Sequence, residues 1–425
     1  MINIFWFCPK LTNYFFIFTK KIKKEGEKLM KKFLTLMLAA LMAFSLVGCG
    51  GANEEGADDV VETADIVFLC DLSSVYDGGF NEFSYYGVRD FAEKAGLTYT
   101  YLQPAGDADD AARETIFLQA VENLQAKVVV AVGYLWDAAL LKLVPEYPDV
   151  KIIYADADNL YNIDVDYDGT PDSISHQDHL AMITFDEQDV GFEAGYALVQ
   201  EGFTKLGFLG GMAVPAVIRF GYGFLDGVEY AAKELNLSDV EVEYFYTGTF
   251  DPSSDIVTRA ASWYTNGTEI IFSCGGTIVN SVIEACQAQE GKYICGVDSD
   301  EYFSRAIANK VEGGKYDIIV TSAMKDMETT IANACEAAWA GGDAWAAYTD
   351  ACTEKDIVRK GAADNGVCLA PYRAENWKNL TQAQYDAVHD LAVEMHSSLT
   401  TDTDGENGAP VTANYSAIKI NYYVQ

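Results

Sequence analysis

Short runs of consecutive apolar residues alternate along the chain with stretches in which apolar residues recur every three or four positions. Runs such as "KVVVAVG" (127–133) are apolar throughout and rich in β-branched residues, which is typical of strands buried on both faces of a parallel sheet. The apolar spacing within 117–124 is of the kind that predicts amphipathic helices between these runs. The predicted strands are 66–70, 97–103, 127–133, 151–156, 205–211, 240–248, 269–274, 292–298 and 317–323.

Several predicted helices end in a glycine directly before the next strand, as at Gly96 and Gly202. Glycine just after the last helical residue accepts a left-handed backbone and allows a short loop. Strands that alternate with helices in this way form βαβ units, in which the strands run parallel and the helices cover the sheet. The pattern predicts an α/β protein with two doubly wound parallel-sheet lobes joined by a hinge.

The two predicted lobes are each built from more than one part of the chain. The first lobe is expected to comprise residues 65–181 with about 322–345, and the second residues 182–321 with part of 346–425. The first crossing between the lobes is expected near 178–185, where the strand–helix rhythm is interrupted.

The N-terminal part of the chain has the features of an export signal. Lys31 and Lys32 precede an apolar run at 33–47, which ends in the motif "LVGC" with Cys49 as its last residue. A basic region, an apolar segment of about 7–15 residues and a small-residue cleavage site define a secretory signal peptide. The motif is that of bacterial lipoproteins. We therefore predict lipidation of Cys49, palmitate included, and attachment to the extracytoplasmic face of the cell membrane.

This interpretation divides the N-terminal region into three segments. Residues 1–29 are interpreted as an over-extended start, because a signal peptide should begin near the lysine pair and Met30 offers an initiation site there. Residues 30–48 form the predicted signal peptide. The small and acidic residues 49–64 form the anchor and a flexible spacer.

Charge and motif content exclude several classes of function. The formal net charge of −35 argues against nucleic acid as a partner and against a polybasic contact with lipid, because both need an excess of lysine and arginine. The nine cysteines include no C-x-x-C pair, so neither a zinc site nor a redox motif is indicated. No G-x-S-x-G, H-E-x-x-H or P-loop motif follows a predicted strand. The sequence therefore favours a protein that is not an enzyme and needs no cofactor.

The residues that follow the predicted strands form a chemically coherent set. Ligands of open parallel sheets bind beyond the carboxyl ends of the strands. Flat apolar rings next to hydrogen-bonding groups suit a polar small molecule that carries a ring. Taken alone, each aspartate is also explained as a helix cap and each phenylalanine as a core ring. The predicted ligand-binding residues are Phe80, Asn81, Trp136, Asp156, Phe220, Gly275, Gly276, Asp298 and Lys325.

Six motifs relate the chain to a known family. In chain order they read "GGFNEFSYYGV", "GYLWDAA", "IIYADAD", "FLGGMAVPAVIRFGYGFLDGV", "CGVDSD" and "TSAMKDM", and the similarity around them runs from about Ile66 to Gly342. The chain resembles the basic membrane protein (BMP) family, whose PnrA-like members are substrate-binding lipoproteins of ABC importers. The resemblance implies a fold like that of type I periplasmic binding proteins, a purine nucleoside as ligand and ABC permease subunits as partners.

The resemblance also implies which residues contact the base. Phe80 matches the ring that stacks on the base, and Asn81 matches the neighbouring amide that contacts the ligand. Phe220 resembles a second stacking ring. Asp156 resembles the carboxylate that reads one edge of the base.

The remaining matched positions concern the ribose. Asp298 and Lys325 match groups that hold the ribose hydroxyls, and Gly275 and Gly276 match glycines that let the backbone approach the ligand. The chain departs from the family pattern just before Phe80, where family members often carry acidic and lysine residues. That difference leaves the contacts of the first-lobe loop open.

Two other functions remain open at this point. The same fold can hold another small ligand, such as a sugar or a furanone signal. An exported nucleoside-cleaving enzyme is the alternative from a different class. It would need carboxylates clustered on a metal, or an oxyanion and phosphate site.

The acidic loop "DVDYDGTPD" has the spacing of a calcium-binding loop. Asp164, Asp166 and Asp168 occupy alternate positions, followed by a glycine and then by Asp172. These match positions 1, 3, 5, 6 and 9 of such a loop, but Ser175 stands where the bidentate glutamate is needed. A solvated acidic loop is the simpler interpretation, and a structural calcium ion held by the four aspartates is the alternative.

Overall fold

The computed structural model describes residues 63–72, 74–105, 108–165, 170, 172–307, 316–401 and 408–424. Cys49, the predicted signal peptide and the predicted over-extended start lie outside these residues. Among the helices that are described, none combines the length and the apolar character needed to cross a bilayer.

Thirteen strands are present in the described part of the chain. They are β1 Ile66–Leu69, β2 Tyr99–Leu102, β3 Val128–Val132, β4 Lys151–Ala155, β5 Leu180–Phe185, β6 Lys205–Gly210, β7 Val240–Tyr246, β8 Ile270–Cys274, β9 Tyr293–Asp298, β10 Ile319–Lys325, β11 Val358–Lys360, β12 Val367–Leu369 and β13 Ile418–Tyr423. They form two sheets. The first has the order β11-β5-β4-β3-β1-β2, and the second has the order β12-β10-β9-β8-β6-β7-β13.

Nearly all neighbouring strands in both sheets run parallel. The exception is β12, which pairs antiparallel with β10 at one edge of the second sheet. Strands β3, β5 and β8 are buried along their whole length, as expected for parallel strands covered on both faces. The predicted α/β class with two parallel sheets is confirmed.

The helices of the described residues cover these sheets. They are α1 Phe80–Ala95, α2 Asp110–Leu118, α3 Asp137–Leu143, α4 Glu187–Glu201, α5 Pro215–Glu234, α6 Ser254–Thr265, α7 Val279–Gln287, α8 Met327–Ala340, α9 Gly342–Thr349 and α10 Gln382–Met395. Both glycine stops expected from the sequence are confirmed. Gly96 follows α1 with φ 68° and Gly202 follows α4 with φ 113°.

The chain crosses between the lobes three times, at Asp186, Asp326 and Gly361, because each of these residues separates elements that belong to different lobes. The boundary expected after residue 181 falls inside β5, and all of β5 pairs in the first sheet. The return expected at residue 322 falls inside β10, and all of β10 pairs in the second sheet. The crossings lie between elements because a strand keeps its ladder of hydrogen bonds within one sheet.

Helices α4 and α5 pack with their backbones in direct contact. A Cβ atom added at Gly195 would lie 2.2 Å from the carbonyl oxygen of Phe224, and one added at Gly223 would lie 2.1 Å from that of Gln188. Only glycine allows such an approach. This packing places Glu187, the first residue of α4, beside the first turns of α5.

Candidate functional site

A cleft lies where the carboxyl ends of strands from both sheets face one another. The space free of protein atoms in this cleft, including its open mouth, is about 610 Å³. The lining residues are Asp71, Asp77, Phe80, Asn81, Gly133, Tyr134, Leu135, Asp156, Val214, Ala216, Val217, Phe220, Phe250, Cys274, Gly275, Gly276, Val297, Asp298 and Lys325.

The structure brings eight of the nine residues that we predicted to bind the ligand to the wall of this cleft. They are Phe80, Asn81, Asp156, Phe220, Gly275, Gly276, Asp298 and Lys325. Trp136 is the exception, and its assignment to the site is corrected here. Its side chain is fully buried, and its indole Nε1 donates a hydrogen bond to the carbonyl oxygen of Cys70 at 3.0 Å. The short 3₁₀ turn after β3 presents Tyr134 and Leu135 to the cleft instead.

The loop before α1 is held by the carboxylate of Asp77. This carboxylate accepts hydrogen bonds from the backbone N–H groups of Gly79, Asn81 and Glu82, at 2.8, 3.1 and 3.2 Å. It also accepts one from Nδ2 of Asn81 at 3.0 Å, while Oδ1 of Asn81 accepts from the backbone N–H of Asp71 at 2.9 Å. Asp77 therefore fixes the start of the helix, of which Phe80 is the first residue.

Aromatic rings from both lobes line the cleft. Phe80 comes from the first lobe and Phe220 from the second, and the Lys325 ammonium lies 5.0 Å and 5.6 Å from the centroids of these two rings. Phe220 is held edge-on by Phe272, with the ring centroids 6.0 Å apart. Because one ammonium is close to both rings, the two rings border the same space.

A third ring, that of Phe250, was not predicted from the sequence. It lines the second-lobe side of the cleft and packs over Gly275 and Gly276. A Cβ atom at either glycine would lie 2.9 Å from Phe250. The two glycines thus make room for this ring, in addition to lining the cleft themselves.

Lys325 is the centre of a buried cluster of charges. Its Nζ atom donates to Oδ1 of Asp156 at 2.9 Å. It also lies 3.5 Å from a carboxylate oxygen of Glu187 and 3.5 Å from one of Asp298. Asp156 is on the first lobe, whereas Asp298 and Lys325 are on the second. Lys325 therefore contacts carboxylates from both sides of the cleft.

Burial and neighbouring charges shift the pKa values of this cluster in opposite directions. Burial raises the pKa of Asp156 to about 7, although Lys325 opposes the shift. Burial likewise raises the pKa of Asp298 against the pull of Lys325. For Glu187, burial is outweighed by Arg219 and Lys325, and its pKa lies below the usual value. Burial alone would lower the pKa of Lys325, but the three carboxylates raise it, so the ammonium stays charged.

Asp156 and Asp298 also have an unusual backbone conformation. Their φ angles are 56° and 62°, in the left-handed region that non-glycine residues seldom adopt. Each directly follows or ends a central strand, β4 or β9, and each turns its carboxylate toward Lys325. Backbone strain of this kind is concentrated at ligand sites, where the surrounding structure enforces it.

Glu187 and Arg219 are two further members of the charge cluster that we did not predict. Arg219 Nε donates to Glu187 at 2.6 Å, and the Glu187 side chain is fully buried. The available signal was the apolar run that forms β5, because a strand predicted there would have put Glu187 at its carboxyl end. Arg219 carried no local signal, since it lies inside a long amphipathic helix.

The calcium prediction remains untested. Asp166 and Asp168 lie outside the described residues. One carboxylate oxygen of Asp172 accepts a hydrogen bond from the backbone N–H of Val165 at 2.9 Å. The proposed ion and its ligands stay a prediction.

Comparison with known families shows which family the chain belongs to. The Bmp family model, described as "ABC transporter substrate-binding protein PnrA-like", matches residues 64–353. The chain belongs to this family. The predicted family is thereby confirmed, and the protein is an ABC transporter substrate-binding protein of the Bmp family. The family implies a small-molecule ligand and permease subunits of an ABC transporter as partners.

Several curated relatives support this membership. The ABC transporter nucleoside-binding protein BmpA of Lactococcus lactis is 23% identical over 315 residues, which are 71% of this chain and 83% of that protein. Basic membrane protein D of Borreliella burgdorferi is 28% identical over 268 residues, covering 62% and 70% of the two chains. An uncharacterized lipoprotein of Pyrococcus furiosus is 24% identical over 304 residues, covering 69% and 71%.

Solved structures share the fold of this Bmp protein. A solute-binding protein of an ABC transporter system from Aeropyrum pernix aligns with a TM-score of 0.57 at 22% identity, over 78% of this chain and 90% of that one. A second, from Conexibacter woesei, aligns with a TM-score of 0.54 at 18% identity, over 81% and 99%. At these identities the comparison concerns the fold alone, which is that of periplasmic solute-binding proteins.

Proposed function

We propose that this Bmp-family protein binds purine nucleosides in the cleft and delivers them to its ABC permease. The observation that carries the proposal is the placement of Phe80 and Phe220, one from each lobe, on the wall of a single cleft. A heteroaromatic base inserted there stacks on both rings. Stacking on one aromatic side chain contributes roughly 1–3 kcal/mol and tolerates different bases.

Selectivity for a nucleoside is assigned to the polar groups beside the rings. We infer that Asp156 accepts hydrogen bonds from an edge of the base, and that Asp298 and Lys325 bind the ribose hydroxyls. All three line the cleft and are held in place by one another. A site built around such groups rejects ligands that leave them unpaired. The name of the Lactococcus lactis relative, a nucleoside-binding protein, agrees with this assignment.

The charge of the cleft favours nucleosides over nucleotides. The Lys325 ammonium already lies within 3.5 Å of three carboxylates, and Asp71 and Asp77 add further acidic groups to the lining. Among the described lining residues Lys325 is the only cation, so a ligand phosphate would meet these carboxylates with no second cation of the lining to pair with it. Like charges at close range in a buried site are strongly unfavourable. Phosphorylated nucleosides are therefore expected to bind weakly.

Thermal-shift and calorimetric titrations test the proposed ligand class. Inosine, guanosine and adenosine are expected to raise the melting temperature, while ribose, glucose and the 5′-monophosphates leave it unchanged. Chromatography of the same mixtures checks for free base, which an enzyme would release and a binding protein would not. A shift with sugars but not with nucleosides contradicts the proposal and favours the sugar-binding alternative.

We also propose that a lipid on Cys49 attaches the protein to the outer face of the cell membrane. Cys49 closes a signal-peptide motif, and the Pyrococcus furiosus relative carries the name lipoprotein. Several acyl chains at about 0.8 kcal/mol per buried CH₂ hold a protein stably on a bilayer.

Mass spectrometry of the N-terminal peptide tests the anchor. After expression in a bacterial host, the mature protein is expected to begin at Cys49 and to carry the mass of a diacylglyceryl group. A Cys49→Ser variant is expected to lack that mass and to leave the membrane fraction. A mature N-terminus at any other residue, without added lipid, is incompatible with the anchor.

A further inference from the structure

Arg219 joins the two lobes without belonging to the cleft. It lies on α5 of the second lobe, and its Nη2 atom donates to Oη of Tyr134 at 2.8 Å and to Oγ1 of Thr184 at 3.2 Å. Tyr134 follows β3 and Thr184 lies within β5, so both acceptors belong to the first lobe. The Arg219 side chain is 13% exposed.

Glu187 fixes the arginine in this position. It lies just after the first crossing, is fully buried, and accepts from Nε of Arg219 at 2.6 Å. Through the same carboxylate it faces Lys325 at 3.5 Å. Neither Arg219, Glu187 nor Thr184 is among the residues that line the cleft. Arg219, Glu187 and Thr184 form a bridge beside the hinge, outside the lining of the cleft.

Among the described residues, other polar contacts between the lobes lie at the hinge, where Arg359 donates to the crossing residue Asp186 at 3.2 Å, and at the cleft or its mouth. Lys325 bonds to Asp156, as described above. Ser299, directly after β9, donates to the carbonyl oxygen of Gly78 in the first-lobe loop at 3.2 Å. A ligand in the cleft would compete for Lys325 and Asp156 and would meet Tyr134, whereas Arg219, Thr184 and Glu187 are not lining residues.

We propose that Arg219 is a positioning residue that latches the closed arrangement of the lobes, and so sets the affinity for every ligand of the cleft by the same factor. The proposal rests on the proposed function only in taking the cleft as the ligand site. The apparent dissociation constant of a protein that must close on its ligand equals the intrinsic constant divided by the closed fraction. Loss of the latch lowers that fraction without touching the ligand.

The decisive variant is Arg219→Gln, compared with the matched control Arg305→Gln. Arg305 forms an Arg–Glu pair of similar burial with Glu301, and it also donates to Asn280 of the second lobe. Both variants lose a buried ion pair, and Arg219→Gln also loses the bonds to Tyr134 and Thr184 of the first lobe. Small-angle scattering of the ligand-free proteins is expected to give a larger radius of gyration for Arg219→Gln than for wild type and Arg305→Gln.

Ligand titrations give the second readout. Inosine, guanosine and adenosine are each expected to bind Arg219→Gln about tenfold more weakly, with unchanged ratios among the three, because hydrogen bonds made by charged groups are worth this much. Thr184→Val removes only one acceptor and is expected to shift both readouts in the same direction by less. If Arg219→Gln does not fold, the Thr184→Val variant tests the proposal by the same two measurements.

Two results would overturn the latch. The first is an Arg219→Gln protein whose ligand-free scattering and affinities equal those of wild type. The second is a change in the ratios among ligands, which would make Arg219 a selectivity residue instead. If the wild-type protein binds none of these nucleosides, the proposed ligand fails, while the ligand-free scattering comparison still decides the latch.

Discussion

Replacing Lys325 with methionine is expected to lower the free energy of unfolding by about 3–5 kcal/mol at about pH 8 and to abolish nucleoside binding. The ammonium is buried among Asp156, Glu187 and Asp298. Methionine fills much of the same volume but leaves three buried carboxylates without their shared partner. Removing one member of a buried ion pair is costly because the remaining charge loses both water and partner.

The deficit of the Lys325→Met variant is expected to shrink as the pH falls. Lys325 holds down the pKa values of Asp156 and Asp298 in the native protein, so its removal raises both further. A carboxyl group with a raised native pKa stabilises the fold below its unfolded pKa, near 4, and that contribution is lost as the pH rises through the native value. For Asp156 the native value is already about 7. The variant should therefore recover stability between about pH 8 and pH 5.

Urea denaturation at several pH values measures this effect. The control is Lys205→Met, which breaks an ion pair with Glu241 on the same lobe, where both side chains are 36% exposed. Exposed pairs contribute about 0–1 kcal/mol, so the control should differ little from wild type at every pH. If Lys325→Met is as stable as Lys205→Met at about pH 8, the cluster does not carry the charges assigned to it.

Replacing Phe80 with alanine is expected to weaken nucleoside binding by about 10- to 100-fold with little effect on stability. The ring lines the cleft at the first position of α1, and the loss corresponds to the roughly 1–3 kcal/mol that base stacking contributes. Alanine is a good helix former, so α1 should remain intact. Isothermal titration with inosine and guanosine gives the affinity, and thermal melting gives the stability.

The matched control for Phe80→Ala is Phe83→Ala, one turn further along the same helix. Phe83 is partly buried against Tyr86, with ring centroids 5.7 Å apart, and it is not a lining residue of the cleft. Its loss should leave nucleoside affinity unchanged. Equal affinities for wild type and Phe80→Ala would remove Phe80 from the stacking site and with it the main support for a nucleoside ligand.

Much of the architecture could be predicted because buried parallel strands have a strong local signature. Nine apolar runs were predicted as strands, and each coincides with one of β1–β4 or β6–β10 to within two residues at either end. Four strands were missed. β5 was missed in spite of its buried apolar run, and the other three have weaker signals. β11 and β12 are three residues long, and β13 mixes polar and apolar residues near the C-terminal end. Such edge strands form because a neighbouring strand offers them free hydrogen-bonding groups.

Most of the candidate site could be predicted, for a related reason. Parallel strands of one sheet end at the same edge, so residues that directly follow them converge whatever their distance along the chain. Asp156, Asp298 and Lys325 were found in this way. Trp136 was wrongly assigned to the cleft because the 3₁₀ turn after β3 directs its side chain into the interior of the lobe. The number of residues between a strand end and a side chain does not tell in which direction that side chain points.

The sequence by itself determined the two parallel sheets, the order of their strands along the chain and most of the residues at the strand ends, because burial and chain direction act locally. Only the tertiary structure decided how charges from separate elements combine. The partnership of Arg219 with Glu187, and its bonds to the first lobe, depend on the close packing of α4 on α5 and on the approach of the two lobes. Those distances result from packing over the whole fold, and no local pattern records them.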